Sequence, residues 1–583
     1  MRRCPTALLV LLCILALPAR ASAAERPNVI VIETDDQTAA SIAYMPIVQR
    51  VIGDRGLTFE NSFASFPLCC PSRATFLTGQ YAHNHGVFDN VAPFGGYGRL
   101  RGRSTLPVWL SRAGYRTIHI GKYLNGYGSR NPAHVPPGWT DWHGLVGTYT
   151  YQYFGFKINE NGRVRQYKAK PSNYQTDILT RKAIGLARSS TRGRRPFFMY
   201  LAYVAPHFSF TGVPEPDDPR GMRTPDPAPR DRDRFAGVPV PVTPAYDERD
   251  VSDKPATIRR RRHLGPRLDS AVRENYQQQL ESLQAVDRGV GRLVKALRRS
   301  GELDRTLILF TSDNGYFYGE HRLPREKILP YDPALRVPLM MRGPGVPRGL
   351  QLRQLVSNQD LASTVLDAAG VRPGLEQDGM SLLDLARHPR TEPGRDLLFE
   401  GLYRSGPHVT YATLRTRRWH YTEYSNGERE LYDMVADPNQ LVNRDLNPRY
   451  AGIEASLAHR LERLAACRGR GCLTHPRIRL TVRGELSNDF LGRPCANSDV
   501  TVLVRGRDSD QVESVDMYAN DALIESARDR RSFVIPRVAL PSGRVQVRPN
   551  VYLTQDRAYT PHVSFTTCGP PGPPRLPPLR APR

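Results

Sequence analysis

Four short apolar runs in this chain stop abruptly at groups able to do chemistry. Val29-Ile30-Val31-Ile32-Glu33 ends at Asp35-Asp36, and Thr117-Ile118-His119-Ile120 ends at Gly121-Lys122. The stretch Phe197 to Val204 ends at Pro206-His207, and Thr306-Leu307-Ile308-Leu309-Phe310 ends at Asp313-Asn314. Runs this short, rich in β-branched and aromatic residues, read as strands buried on both faces. Helix-like stretches separate them from residue 27 to about 380, which predicts an α/β sheet flanked by helices. In such open sheets ligands bind beyond the carboxyl ends of the strands. The four polar termini therefore mark one candidate site.

At 583 residues the chain is long enough for two or three domains. The α/β unit is expected over 25–385. Within it, Tyr276, Leu280, Leu283, Val286, Val290, Leu293 and Leu297 keep helical spacing and form a packing face. From Gly212 to about Lys254 the sequence is rich in Pro, Asp and Arg without periodicity, which predicts a long mobile loop close to His207. A smaller α+β subdomain is expected over 386–466, with strands at Val409 to Arg415 and Trp419 to Tyr424 and a helix near Ile453 to Leu464. Alternating runs beyond Cys472, such as Arg477 to Val482 and Val500 to Val504, predict a β-sandwich-like domain over 473–568. The Pro-rich residues 569–583 are expected to be disordered.

Residues 1–24 read as an export signal: Arg2 and Arg3, the apolar run Ala7 to Leu17, then Ala21-Ser22-Ala23. No later run is long enough to span a bilayer, so a secreted or extracytoplasmic location without a membrane span is expected. The formal charge is +25, and loss of the leader leaves +22. Such an excess points to anionic partners. The dense cluster Arg259 to Arg262 has no interleaved aromatics, so nucleic acid is not among the expected partners. Six of the eight cysteines lie beyond the leader. Cys467 with Cys472, and Cys495 with Cys568, are the expected disulfides, and Cys70 is expected to be buried and structural.

Cys69-Cys70-Pro71-Ser72-Arg73-Ala74-Thr75-Phe76-Leu77-Thr78-Gly79 carries the sharpest signal. A proline near its start and Gly79 past its end bracket a short helix, with Cys69 just ahead of the N-terminus, where an anion is favoured. The stretch resembles the sulfatase signature Cys-x-Pro-Ser-Arg-x-x-x-Leu-Thr-Gly at every defined position. The resemblance implies an alkaline-phosphatase-like fold over roughly residues 26 to 465. It also implies that a formylglycine-generating enzyme oxidises Cys69 to Cα-formylglycine, guided by Pro71 and Arg73, and that the hydrate of this aldehyde is the nucleophile.

Asp35, Asp36, Asp313 and Asn314 offer only oxygen ligands, which select calcium or magnesium over zinc. This matches the sulfatase arrangement, in which the modified residue 69 completes a calcium site. The resemblance places Lys122, His207 and Lys327 around the sulfate and leaving oxygen. His207, helped by Lys327, is the expected general acid, Lys122 neutralises sulfate, and Arg73 orients residue 69. Many arylsulfatases read Gly-Lys-x-His where this chain reads Gly121-Lys122-Tyr123-Leu124-Asn125. Asn125, His83 and His85 are candidates to replace that histidine. The Lys-Tyr-Leu-Asn form, the doubled cysteine, His83-Asn84-His85 and Lys327-Ile328-Leu329-Pro330-Tyr331-Asp332 look like the branch of N-acetylglucosamine-6-sulfatases and heparan endosulfatases. The expected substrate is a sulfated carbohydrate or aryl sulfate. The rivals are a phosphomonoester, phosphodiester or phosphonate hydrolase on the same fold, and an unmodified, non-catalytic binder of sulfated glycan.

Overall fold

A computed structural model describes residues 26–568, apart from 191–194, 211–218, 220, 404–408, 474–477, 489–493, 507–511, 537–538, 541–542, 554–556 and 560. The expected leader and Pro-rich tail lie outside the described residues. Ten strands form the principal sheet: β1 (Asn28–Thr34), β2 (Leu57–Phe59), β3 (Arg116–Gly121), β4 (Asp141–Leu145), β5 (Lys157–Glu160), β6 (Arg163–Gln166), β7 (Phe197–Ala202), β8 (Thr306–Ser312), β9 (Leu339–Arg342) and β10 (Leu350–Leu352). Their order is β10-β2-β9-β8-β1-β7-β3-β4-β5-β6. β1 runs parallel to β7 and β8, and β3 runs parallel to β7, so the four apolar runs are consecutive neighbours. β9 is antiparallel to β8, so the sheet is mixed.

Alternation along β1 assigns its side chains to two cores. Val29 and Val31 join Trp109, Leu361 and Val365 on one face. Ile30 and Ile32 join Leu283, Val286 and Leu293 on the other. Helix α1 (Cys69–Thr78) is entirely buried and ends at Gly79, whose φ of 70° is the left-handed closure that glycine permits. Cys69 is the first residue of this helix rather than the residue ahead of it, because Leu68 is still extended and serves as N-cap. Helix α2 (Gln175–Ser190) and helix α3 (Pro266–Arg299) cover the second core. The apolar spacing locates only part of α3. Its first ten residues carry few apolar side chains, and the helix opens at Pro266, which suits a first helical position.

Part of the segment that follows His207 lies outside the described residues. Further along it, Met222, Ala228, Val240, Ala245 and Val251 are buried, and Tyr246 makes a bridge to Glu320. A four-stranded antiparallel sheet, β11 (Leu397–Tyr403), β12 (Val409–Arg415), β13 (Trp419–Tyr424) and β14 (Arg429–Asp433), packs against helix α4 (Ala451–Ala465). From Ile478 onward two further sheets share a core built on Val500, Val502, Val515, Met517, Phe533 and Val545. The disulfides Cys467–Cys472 and Cys495–Cys568 are both present, and Cys70 is a buried free thiol.

Candidate active site

The carboxyl ends of β1 and β8 meet where the chain turns off the sheet. Asp313 N–H donates to the Thr34 carbonyl (3.1 Å), and Asp36 N–H donates to Asp313 Oδ1 (3.2 Å). Asp36 takes the left-handed conformation, φ 67°, uncommon for a residue with a side chain. Helix α1 brings Cys69 to the same point. Its Sγ lies 3.5 Å from Asp35 Oδ1 and accepts from Lys327 Nζ at 3.0 Å. Lys122, beyond β3, pairs with Asp35, and Lys327 pairs with Asp36. His207 Nε2, beyond β7, is 3.9 Å from Asp36 Oδ2. The structure thus brings Asp35, Asp36, Cys69, Arg73, Lys122, His207, Asp313, Asn314 and Lys327 into one buried cluster.

Arg73 is turned beneath the site. Its Nε donates to Asp313 Oδ2 (2.8 Å), Nη1 lies 3.1 Å from Glu33 and donates to the Lys122 carbonyl (3.1 Å), and Nη2 lies 3.6 Å from Asp35. Its direct partners are thus three carboxylates, a carbonyl and a phenol hydroxyl. Tyr200 bonds both to Arg73 Nη1 (3.3 Å) and to Glu33. Ser72 donates to the Asp313 carbonyl (2.5 Å) and accepts from Asn358 Nδ2 (2.9 Å), which clamps α1 against β8.

The two adjacent aspartates differ sharply. Burial disfavours both anions. For Asp35, however, Lys122, His207, Arg73 and Lys327 outweigh burial and hold the carboxyl far below the ordinary range. For Asp36 burial prevails over Lys327, with Asp35 and Asp313 adding repulsion, and pushes it up to about 7. Burial, reinforced by Asp35, pushes the Cys69 thiol up to about 12, which makes an unmodified thiol a poor nucleophile at neutral pH. Burial lowers His207 to about 3 against the pull of Asp35. Its Nδ1 pairs with the Phe208 carbonyl at 2.8 Å, so the neutral ring donates there and carries its lone pair at Nε2.

The donor set fits a hard divalent cation. Asp35, Asp36 and Asp313 each place an oxygen within 4.8 Å of the other two. Asp36 Oδ2 and Asn314 Oδ1 are buried with no hydrogen-bond partner, and Asn314 Nδ2 donates to Asp36 Oδ1 at 2.7 Å. Buried oxygens left without donors are costly unless a ligand meets them, and oxygen-only ligands suit calcium or magnesium.

Neither histidine of His83-Asn84-His85 joins the cluster. His83 pairs with Glu400 (3.1 Å) and the Cys467 carbonyl (2.8 Å), while His85 bonds Thr75 Oγ1 (3.1 Å) and accepts from Val87 N–H (3.1 Å). Asn125 reaches the site indirectly: its Nδ2 donates to the Tyr151 hydroxyl at 2.8 Å. The Tyr151 ring lies 4.5 Å from the His207 ring and 4.9 Å from Lys122 Nζ, centroid measured. Sequence reasoning missed Tyr151, Glu33 and Tyr200. Glu33 alone carried a signal, as a carboxylate inside an apolar strand.

A sequence profile of the sulfatase family matches residues 27–371. The chain belongs to the sulfatase family. A second profile, for the C-terminal part of N-sulphoglucosamine sulphohydrolase, matches residues 319–467 of this sulfatase. It is 33% identical over 524 residues to an arylsulfatase of Volvox carteri, covering 80% of this chain and 79% of that one. It is 32% identical over 510 residues to human N-acetylglucosamine-6-sulfatase, covering 78% and 87%. A solved structure described as a complex with its substrate D-glucosamine-2-N,6-O-disulfate superposes with a TM-score of 0.62 at 26% identity, over 75% of this sulfatase and 97% of that chain. The reaction class is sulfuric ester hydrolysis. Among the described residues no helix is long and apolar enough to cross a membrane.

Proposed function

We propose that this sulfatase is exported and hydrolyses sulfate monoesters of sugars, such as 6-sulfated N-acetylglucosamine, with a formylglycine at position 69 and a calcium ion (or magnesium) beside it. The observation that supports this reading best is the approach of Cys69 to Asp35 and Lys327 at the end of a buried oxygen cluster. The substrate class follows the names of its relatives. Export rests on residues 1–24.

Asp35, Asp36, Asp313 and Asn314 would hold the metal, and modification of Cys69 by a formylglycine-generating enzyme would supply the hydrate. The chemistry these groups contribute is polarisation of a sulfate oxygen and a nucleophilic oxygen at position 69. Lys122, paired with Asp35, and Lys327, paired with Asp36 and donating to residue 69, neutralise the sulfate. Arg73 holds Asp313 and Asp35 in place from below, with Glu33 and Tyr200 fixing Arg73 in turn. His207 Nε2 is the atom that exchanges a proton with the leaving alcohol. The ring rests neutral, so it must take up that proton as anionic substrate binds, and Lys327 supplies the standing positive charge until then. Tyr151 packs its ring beside His207 and Lys122, its hydroxyl fixed by Asn125.

Mass analysis of the peptide bearing Cys69 tests the modification directly. Loss of the thiol with an aldehyde-reactive product is expected; an alkylatable thiol in active enzyme overturns it. Calcium added to chelator-treated protein should raise Tm. On a panel of 4-nitrophenyl sulfate, 6-sulfated N-acetylglucosamine, 4-nitrophenyl phosphate and a phosphonate ester, the sulfates should turn over fastest. A preference for phosphate or phosphonate would sink the substrate assignment.

A further inference from the structure

A second concentration of cations lies on the outer surface, between α2 and α3. Arg288, Arg292 and Lys295 recur at i, i+4 and i+7 along α3 and form one stripe. Arg181 faces them from α2, and Arg230 arrives from the segment that leaves the active site after His207. Together with Asp177 these residues line a groove of about 410 Å³. Two acids lie at its floor. Asp177 accepts from Arg230 (2.8 Å) and Arg292 (2.9 Å), and Asp231 is held by Arg288. Asp231 is buried, whereas the Arg230 and Arg292 side chains are each 46% exposed. Five cations stand over Asp177 and Asp231, with Asp287 a third carboxylate beside Arg288, so cations outnumber acids. Among the described residues Arg181 and Lys295 have no carboxylate within salt-bridge distance.

The floor acids fix the guanidiniums without consuming all their donors. Each guanidinium has five N–H groups, and Arg292 spends one nitrogen on Asp177. The Arg230 and Arg292 side chains stay half-exposed, so donors of these planar guanidiniums remain open to sulfate or carboxylate oxygens. Ile47 and Gly291 are the only uncharged lining residues, so the groove offers no ring on which a nucleobase would stack. Its concave, nearly wholly charged lining lacks the apolar face that an interfacial membrane site requires.

We propose that this groove is a second anion site that grips a sulfated stretch of a polysaccharide chain while another sulfate ester of the same chain occupies the catalytic centre. This rests on the sulfated-sugar reading above and goes beyond it, because it makes the natural substrate a polymer rather than a monosaccharide.

The test uses the full-length enzyme and the double variant Arg181→Ala/Lys295→Ala, which removes the two cations without stranding an acid. Binding of a fluorescent, highly sulfated heparan decasaccharide is measured across a salt series, alongside turnover of 4-nitrophenyl sulfate. The double variant should bind the decasaccharide about five- to tenfold more weakly. Its salt slope should be shallower by about two, one for each cation removed. Its aryl sulfate kcat/KM should stay within about twofold of wild type, which also shows that it folds. Equal binding by wild type and variant, with aryl sulfate turnover intact, overturns the groove assignment. Single-stranded DNA of the same charge that binds as tightly, and is lost in the same variant, reassigns the groove to nucleic acid. Absent aryl sulfate turnover in both proteins is instead the failure of the sulfatase reading, and the binding comparison still decides the groove.

Discussion

Cations meet carboxylates at two places in this molecule, under opposite solvent regimes. At the catalytic centre Arg73 and Asp35 have fully buried side chains and Lys122 is 2% exposed. At the α2–α3 groove the acids are covered and the arginines reach into water. The ion pairs look alike, but their energetics differ. In the dry cluster, water cannot screen a charge that loses its partner, so every member constrains the others. On the groove, water and salt replace a missing partner cheaply. The buried cluster can therefore hold fixed dipoles and charges for chemistry, while the groove can exchange partners, which suits a reversible grip.

Breaking the buried cluster at its reacting atom should have the largest effect. Cys69→Ser should lower 4-nitrophenyl sulfate turnover by roughly 10⁴-fold or more, with an unchanged circular dichroism spectrum. Full activity in this variant would refute the mechanism. Next in size is Arg73→Leu. It strands Glu33, Asp35 and Asp313, and urea unfolding should report a loss of about 3–5 kcal/mol. A loss below about 1 kcal/mol would mean that the cluster is not dry.

Acid should probe buried neutral imidazoles away from the site. Burial holds His85 and His420 at about 3. Because the folded-state value lies below the unfolded value of 6.5, each contributes stability that is intact above pH ~6.5. That stability is lost at ~1.4 kcal/mol per pH unit as the pH falls toward 3. His420→Leu should flatten part of this acid limb in a Tm-against-pH series; an identical limb contradicts the assignment. The smallest effect belongs to the groove, where Arg292→Leu should cost less than about 1 kcal/mol in the same urea assay. A loss as large as that of Arg73→Leu would erase the contrast between the two regions.

Much of this is legible in the order of residues. Strand positions and their polar ends follow from apolar runs whose length and composition report burial on both faces. The Cys69 segment, the oxygen-only donors and both disulfide pairs are likewise readable from residue type and spacing. Tertiary structure alone decided which side chains meet. Val29 lies beside both Phe198 and Leu307, a strand order with no local signature, and this order is what delivers His207 and Asp313 to Asp35. The same long-range geometry turns Arg73 toward Glu33, sends His83 to Glu400, and brings Tyr151 rather than a histidine against Lys122. It also sets α2 against α3 so that arginines scattered through the sequence form one groove. Periodicity records whether a residue is buried; its neighbours depend on how the sheet is wound, and only the packed chain specifies that.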